Sequence, residues 1–443
     1  MSRRPTVDVI SLGCSKNLVD SERLLAMFGR SGIDARLADT PGEREADAVV
    51  INTCGFIGDA KEESINTILE AAGAKDAGRV GKVVVMGCLS ERYSGELPAE
   101  LPEVDAWYGK FDWPEIVKLM AREHPAVIDY DRVITTPRHH AYLKISEGCN
   151  RFCAFCAIPL ITGRMHSRPI EDLEAEVKAL TRRGVREFNV IAQDLSSYGL
   201  DLAGHHHRLP ELVERLADID GVEWLRLHYA YPSDFPYGIL PVMAARDNVC
   251  SYMDIALQHI SDRVLENMRR HITGAQTREL IARMREEVPD LHLRTTLMVG
   301  FPGEGEREFD ELMEFVKQTR FERMGAFAYC EEEDTYAARN FRDIIPQDEK
   351  QRRLDALMAL QEKISLEQQE AKVGKTLRVM IDREESEFYV GRTQWDSPEV
   401  DPEVLVRKTM PLKPGVFADV TVESAMPFEL IAVPAGEASS VQS

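Results

Sequence analysis

The sequence lacks any apolar run that approaches the roughly 18 residues needed to span a membrane. Its first residues, Met1–Asp8, lead directly into a strand pattern and contain no apolar stretch of the kind found in secretion signals. Both absences predict a cytoplasmic protein. The eight cysteines are then expected to be reduced and free to bind metal rather than paired in disulfides.

Positive charge is also scarce, because 54 Lys and Arg stand against 75 Asp and Glu, for a net charge of −21. Nucleic-acid affinity depends on Lys and Arg that neutralise phosphates, so this composition argues against direct nucleic-acid binding. A basic protein partner would instead be attracted. A nucleic-acid substrate would remain possible if the acidic surface carried a local basic patch.

At 443 residues the chain is too long for one core and predicts two to four domains. Its first 125 or so residues alternate strand and helix in the rhythm of an open α/β domain. Strands are expected at Val7–Leu12, Ala48–Asn52 and Val83–Met86, with a helix at Ser21–Gly29 after the first of them.

A cysteine follows each of these three strands within two residues: Cys14, Cys54 and Cys88. In a parallel sheet the carboxyl ends of the strands meet at one crevice, where ligands gather. A single free cysteine is more often a packed core thiol. Three in equivalent positions predict one three-thiolate metal site, for which the sequence offers no fourth ligand.

A second triad, Cys149, Cys153 and Cys156, lies within eight residues. Thiolates this close converge on one soft metal centre. Structural zinc sites use four ligands, usually as two separated pairs. Three cysteines on one loop therefore favour a 4Fe–4S cluster with one iron open to a substrate or cofactor. A zinc site with a distant fourth ligand is the alternative.

From Tyr142 to Phe341 the strand–helix alternation resumes about six times, which predicts an open or partial (β/α)6 barrel. Polar residues and a glycine turn follow several of its strands and are candidate ligand contacts. His259 alone would more often be a structural histidine. The candidates are Gln193, Asp194, Gln258, His259, Gly300 and Gly303.

Beyond about residue 373 the chain changes to short β-rich stretches with turn residues, which predict a small antiparallel β-barrel. The last residues, 437–443, are expected to be a disordered tail.

Three segments together resemble the methylthiotransferase branch of the radical S-adenosylmethionine enzymes: Leu12–Glu22, Asn52–Ile57 and Ile145–Cys149 with its continuation to Pro159. The resemblance covers essentially the whole chain. It implies an N-terminal cluster domain over residues 5–125 and a radical barrel with a long C-terminal helix over 135–372. A TRAM β-barrel, similar to an OB-fold, would occupy 373–436.

By this resemblance, the Cys149, Cys153 and Cys156 cluster binds S-adenosylmethionine and cleaves it to a 5′-deoxyadenosyl radical. A second 4Fe–4S cluster on the Cys14, Cys54 and Cys88 triad would hold the sulfur that accepts a methyl group from another S-adenosylmethionine. Phe155 would lie against the cofactor, or else pack beside the cluster. The candidate contacts at the strand ends would line the same cofactor.

Two features bear on the substrate. Relatives that modify tRNA usually carry Gln-Met where this chain has Ser15-Lys16, and the segment Gly374–Ala435 contains seven Lys or Arg against eleven Asp or Glu. Both favour an aspartate of ribosomal protein uS12, free or in the small subunit, over a tRNA adenosine. The resemblance also implies an electron donor such as flavodoxin or ferredoxin and a monomeric enzyme. A non-catalytic iron–sulfur carrier is the alternative of another class.

Several residues depart from the family pattern or match none of it. Ile161–Arg164 replaces the usual Arg-Gly-Lys, which leaves Arg164 and Arg168 as candidate substrate contacts. Cys250 and Cys330 match no cluster motif and are expected to be packed thiols, and His205–His207 is expected to be a surface loop rather than a metal site.

Overall fold

The structure is a computed structural model that describes residues 3–121 and 131–436. The predicted tail at 437–443 lies outside the described residues. Three successive parts of the chain each form one large sheet. The domain boundaries given above stay predictions. No helix in the described ranges is both long and apolar enough to cross a membrane.

The first sheet has five parallel strands in the order β2-β1-β3-β4-β5. Its inner strands are buried on both faces, which explains why they read as continuous apolar runs. The elements are β1 (Thr6–Ser11), α1 (Ser15–Arg30), β2 (Asp34–Leu37), β3 (Ala48–Thr53), α2 (Gly58–Asp76), β4 (Val83–Gly87), α3 (Cys88–Arg92), α4 (Leu97–Glu100), β5 (Ala106–Trp107) and α5 (Trp113–Met120).

Helix α1 begins at Ser15, six residues before the predicted start at Ser21. The prediction was wrong because this first part of the helix is mostly polar, yet Lys16, Asn17 and Asp20 are all buried. Their partners come from other strands and from the central sheet, so no apolar periodicity marks the helix in the sequence.

The central sheet has six parallel strands in the order β13-β12-β11-β10-β9-β6 and stays open, which confirms the partial barrel. The elements are β6 (His140–Lys144), β7 (Ser146–Glu147), α6 (Ile158–Thr162), β8 (His166–Ser167), α7 (Ile170–Thr181), β9 (Glu187–Ile191), α8 (Leu209–Ala217), β10 (Trp224–Ala230), α9 (Ile239–Ala245), β11 (Val249–Gln258), α10 (Asp262–Asn267), α11 (Gly274–Glu287), β12 (His292–Val299), α12 (Glu306–Thr319), β13 (Arg323–Ala328), α13 (Tyr336–Asn340) and α14 (Gln347–Glu370).

The long helix α14 packs beside the edge strand β13. Leu357 and Ile364 join the core of the central sheet, and the Gln361 side-chain amide donates to the Phe321 carbonyl at 3.0 Å. The helix thus covers the edge strand, which would otherwise present unpaired backbone groups.

The last sheet closes into a five-stranded barrel in the order β14-β15-β16-β18-β17. The barrel is confirmed, but it is not wholly antiparallel, because β16 and β18 pair in parallel. A parallel pair needs a crossover connection, and β17 supplies it. The strands are β14 (Thr376–Glu384), β15 (Phe388–Thr393), β16 (Glu403–Arg407), β17 (Phe417–Met426) and β18 (Glu429–Pro434).

Buried ion pairs fasten this barrel to the amino-terminal ends of the central strands. Arg392 of β15 lies 2.8 Å from the carboxylate of Glu187, the first residue of β9, and 2.6 Å from that of Asp382. Asp382 also contacts His139 at 2.8 Å, and Arg323 at the start of β13 pairs with barrel residue Asp396. The barrel therefore docks at the end of the sheet opposite to the one that carries the second cysteine triad.

Arg392→Ala should destabilise the protein by about 3–5 kcal/mol, because the change removes the main cationic partner of the buried Glu187 and of the mostly buried Asp382. Arg407→Ala is the matched control, since Arg407 and its partner Glu423 are 49% and 43% exposed and such pairs contribute about 1 kcal/mol or less. Urea unfolding of both variants measures the difference. Equal losses would contradict the assignment of Arg392 as the fastening residue.

Acid should release the same contacts. Burial alone raises the pKa of Glu187, but Arg392 and Arg226 lower it to about 2, and Arg323 and Lys372 likewise lower the pKa of the buried Asp396 to about 2. Both carboxyls titrate near 4 in an unfolded chain. Their contribution to stability is therefore complete above about pH 4.5 and is lost as the pH falls toward 2.

Free energies of unfolding measured between pH 7 and pH 3 should decline more steeply below pH 4.5 in the wild type than in Arg392→Ala, where Glu187 has lost its main partner. Parallel curves for the two proteins would contradict this expectation.

Candidate active site between two cysteine triads

The first triad forms where three neighbouring parallel strands end. Strands β3 and β4 finish in register at Thr53 and Gly87. Cys54 and Cys88 follow directly, and Cys14 caps the start of α1 after β1. The strand-end argument therefore brings these three cysteines to one edge of the sheet, as the sequence predicts.

Two asparagines tie the three cysteine loops together. The Asn17 side-chain amide donates to the carbonyls of Leu12 and Thr53, each at 3.0 Å, and its oxygen lies 3.6 Å from the Cys88 sulfur. The Asn52 side chain donates to the Asn17 carbonyl at 2.9 Å. Each loop is thereby held by hydrogen bonds that need no metal.

Gly13 allows the loop that carries Cys14 to approach Cys54 closely. Its φ is +85°, and a Cβ at this position would lie 2.7 Å from the Cβ and 2.8 Å from the sulfur of Cys54. Any other residue would have to displace Cys54. Gly13 is thus required both by its backbone conformation and by the neighbouring cysteine.

The second triad lies on a loop that turns back on itself after β7. The backbone N–H of Cys149 donates to Gly163 at 3.2 Å, and that of Cys156 donates to Cys153 at 3.0 Å. Gly148, with φ +79°, allows this fold, because a Cβ there would lie 2.2 Å from the Arg164 carbonyl oxygen.

A buried guanidinium faces this loop. Arg270 is 2% exposed, and its Nη1 lies 3.2 Å from the Cys153 sulfur, while the Tyr231 hydroxyl lies 3.5 Å from the same sulfur. The Arg270 guanidinium also stacks 4.0 Å from the centre of the Tyr231 ring. The guanidinium and the phenol therefore hold the Cys153 sulfur from two sides.

Three of the predicted contact residues carry a buried oxygen that finds no partner among the described residues. These atoms are Gln193 Oε1, Asp194 Oδ1 and Gln258 Oε1. The second Asp194 oxygen accepts from Arg151 Nε at 2.6 Å, and Gln193 donates to Glu147. Buried acceptors without partners are costly, so this mouth of the barrel suits a polar ligand that brings donors.

His259 is placed differently. Its Nδ1 accepts from the Ser261 backbone N–H at 3.0 Å, and its Nε2 lies 3.2 Å from the Glu304 carboxylate. Both ring nitrogens are engaged within the chain, which matches the alternative reading of a structural histidine.

The remaining candidates serve packing in this structure. Phe155 stacks edge-to-face on Phe301, with ring centres 6.2 Å apart. Gly300 and Gly303 have φ values of +75° and +101°, and a Cβ on either would meet a neighbouring side chain at 2.4 Å. Their contact with a cofactor stays a prediction.

The two triads belong to one site. Cys88 packs against Ala157 and Ile161, in the segment directly after Cys156. Lys110 lies between them, with its Nζ 3.8 Å from the Cys88 sulfur and 3.1 Å from the carboxylate of Glu147, two residues before Cys149.

The sequence analysis did not identify the charged side chains that lie at the junction, the region around Lys110 between the two triads. Lys144 contacts Asp20 and lies 2.7 Å from Glu147, and Lys110 lies 3.9 Å from Asp20. Burial would raise the pKa of Glu147, but Lys144 and Lys110 lower it. Lys144 ends β6, so the strand-end rule that selected Gln193 would also have selected it, whereas Lys110 carries no sequence signal.

The thiols fit a metal centre in chemistry and in mutual position. Burial raises the pKa of Cys88 and of Cys149 to about 12, and it also raises the pKa of Cys54 and Cys156. Cys14 and Cys54 add to the rise at Cys88, so the members of that triad lie within electrostatic reach of one another. A positively charged metal group would hold such thiols as thiolates.

Within residues 3–121 and 131–436, no three His, Cys, Asp or Glu side chains are grouped so as to hold a single metal ion. A 4Fe–4S cluster differs in its demands, since its thiolates bind different irons.

Other singled-out residues lie away from this chemistry. Arg168 pairs with the fully buried Glu176 at 2.7 Å, so it supports the fold, while Arg164 is exposed. Cys250 is buried, as predicted, but Cys330 is exposed. The prediction for Cys330 was wrong because this residue lies beyond the end of the edge strand β13. The loop His205–His207 lies at the surface, with His205 and His206 exposed.

Three family models match this chain: Radical SAM superfamily over residues 143–316, uncharacterized protein family UPF0004 over 6–109, and TRAM domain over 373–434. Among solved structures, the radical S-adenosylmethionine methyltransferase TsrM from Kitasatospora setae shares the fold. Its TM-score is 0.56 at 16% identity, over 76% of this chain and 77% of that one. The chain is therefore a radical S-adenosylmethionine enzyme, a class that uses a 4Fe–4S cluster and this cofactor.

Curated relatives identify the family to which the chain belongs within this class. Proteins named "Ribosomal protein uS12 methylthiotransferase RimO" from Parabacteroides distasonis and Porphyromonas gingivalis are each 59% identical, over 97% of this chain and at least 98% of their own. The protein of that name from Cytophaga hutchinsonii is 45% identical over 97% of this chain and 98% of its own. The chain belongs to the RimO family of methylthiotransferases, which confirms the resemblance.

Gly13→Ala should displace Cys54 and prevent metal uptake at the first triad. In a background with Cys149, Cys153 and Cys156 changed to Ala, we expect this variant to lose most of the iron that the background retains after anaerobic reconstitution. Gly29→Ala, in α1, is the control, since within the described structure an added Cβ there meets nothing within 4 Å. Equal iron content in the two variants would contradict the role given to Gly13.

Proposed function

We propose that this enzyme adds a methylthio group to the β-carbon of an aspartate in ribosomal protein uS12. S-adenosylmethionine serves as both the methyl donor and the source of the radical. The observation that carries the proposal is the shared junction of the two triads, where Lys110 reaches the Cys88 sulfur at 3.8 Å and Glu147 at 3.1 Å. The names of the close relatives support the same substrate.

In this proposal Cys149, Cys153 and Cys156 hold the cluster that binds S-adenosylmethionine. When loaded, that cluster would supply the electron for reductive cleavage of the bound S-adenosylmethionine, the source of the radical. Arg270 donates to the Cys153 sulfur at 3.2 Å and so helps to fix its position. The unpartnered oxygens of Gln193, Asp194 and Gln258 accept hydrogen bonds from the cofactor. Phe155, Gly300 and Gly303 shape its pocket, while His259 orients Glu304 behind it.

Cys14, Cys54 and Cys88 would hold a second 4Fe–4S cluster, which would carry the sulfur that is methylated and transferred. A β-carbon of aspartate bears an unactivated C–H bond that no side-chain base can deprotonate, so hydrogen abstraction and sulfur delivery must occur close together. The packing of Cys88 on Ala157 and Ile161 supports this proximity. The protein thus positions the reactants while its cofactors perform the chemistry.

We further propose that a one-electron carrier such as flavodoxin or ferredoxin reduces the enzyme, and that it acts as a monomer in the cytoplasm. A net charge of −21 suits a basic protein substrate, whether uS12 is free or already part of the small subunit.

Substituting one cysteine from each triad separates the two half-reactions. Cys153→Ala should abolish both 5′-deoxyadenosine formation and methylthiolation, because the radical is no longer made. Cys88→Ala should still cleave S-adenosylmethionine but leave uS12 without a methylthio group. The exposed Cys330→Ser is the control and should behave as wild type.

Chromatography of 5′-deoxyadenosine and mass spectrometry of uS12 read out these steps. Retained cleavage in Cys153→Ala would overturn the assignment of the radical site. Methylthio addition to tRNA but not to uS12 would overturn the assignment of uS12 as the substrate.

A further inference from the structure

One buried cation at the junction is left without an anion. Lys16, in the first turn of α1 and two residues after Cys14, is only 9% exposed. Its Nζ lies 3.5 Å from the centre of the Tyr229 ring. In the part of the chain that the structure describes, no carboxylate comes within 4.0 Å of this ammonium. The protein nevertheless does not enclose the Nζ atom completely. This atom therefore keeps some exposure to solvent.

The neighbouring charges are already balanced. Lys110 and Lys144 share the carboxylates of Asp20 and Glu147. Asp20 lies one helical turn beyond Lys16 on α1, but it is engaged with these two lysines. The three lysines and the two carboxylates together carry one net positive charge, and it belongs to Lys16. Burying an ammonium without an anion is costly, and an aromatic face compensates only part of that cost.

Tyr229 holds this ammonium from the central sheet. It is the penultimate residue of β10, and its φ of +65° lies in the left-handed region, which a bulky residue rarely adopts. Its backbone N–H donates to the Asp254 carboxylate at 3.3 Å. Such strain persists where the surroundings enforce it, often at functional sites. The ring is thereby set at the carboxyl end of the central sheet, facing the start of α1.

The helix adds to the positive potential. The 16-residue helix α1 has no acidic residue in its first turn, and its cap, Cys14, makes no side-chain capping bond. The positive end of the helix dipole and the Lys16 ammonium therefore lie together beside the first triad. An anion that approaches this ammonium gains from both.

We propose that the Lys16 ammonium binds the side-chain carboxylate of the substrate aspartate against the face of Tyr229. This inference rests on the proposed function, which supplies the aspartate. The contact holds the β-carbon between the sulfur of the first triad and the radical formed at the second. It also selects aspartate over its neutral isostere, asparagine, because an uncharged amide would leave the buried ammonium without a counter-ion.

The test compares two forms of uS12, one with the natural target aspartate and one with asparagine in its place. Their dissociation constants are measured without turnover on the cluster-loaded enzyme. We expect wild type to prefer the aspartate form by about 10- to 100-fold, the range of a charged hydrogen bond. Lys16→Met should bring this preference close to one and raise KM for the aspartate form.

Lys16→Arg, which retains the charge, should restore most of the preference. Lys317→Met is the control, because Lys317 lies on α12 with a side chain 70% exposed, and it should match wild type. Iron content and melting temperature of each variant show whether the protein is intact.

Three results would overturn the inference: equal binding of both forms by wild type, an undiminished preference in Lys16→Met, or an equal weakening of both forms in that variant. The last would make Lys16 a merely structural residue. A wild-type enzyme that prefers the aspartate form but never methylthiolates it would instead overturn the proposed function and leave the carboxylate site standing.

Discussion

The joint site depends on one buried ammonium, that of Lys110. Its Nζ touches the Cys88 sulfur from the first sheet and the Glu147 carboxylate beside the second triad, and its side chain is 3% exposed. Burial would lower the pKa of Lys110, but Glu147 and Cys88 raise it, so the group stays charged. Separating the two sheets would strand this charge in a dry environment, which costs several kcal/mol. The same contact therefore joins the two sheets and helps to set the spacing of the two cysteine triads.

The other end of the central sheet has a different task. Arg392, Glu187 and Asp382 fasten the C-terminal barrel to the amino ends of the strands, at the opposite end of the sheet from the Cys149–Cys156 loop. The barrel therefore lies away from that loop, and the residues of the candidate site come from the first two sheets. In the same way, the free positive charge of Lys16 belongs to α1 and its aromatic support, Tyr229, to the central sheet.

Much of this architecture was accessible from the sequence. The apolar strands predicted the two parallel sheets, and the position of Cys14, Cys54 and Cys88 after them predicted a shared edge. The first turn of α1 was missed because its buried polar residues give no apolar period. Lys110 was missed because it stands alone in the sequence, and the parallel pairing of β16 with β18 was missed because strand direction leaves no trace in a short β-rich segment.

The sequence by itself determined the two cysteine triads and their places after strands, and the radical chemistry is what membership of the family implies. Local spacing suffices there, because parallel strands always bring their carboxyl ends to one edge. Only the tertiary structure decided which buried charged side chains pair with one another. Lys144 and Asp20 are 124 residues apart in the chain yet in contact, whereas Lys16, four residues from Asp20, faces an aromatic ring instead. The cost of a buried charge depends on what surrounds it in space, and that is set by packing between distant segments.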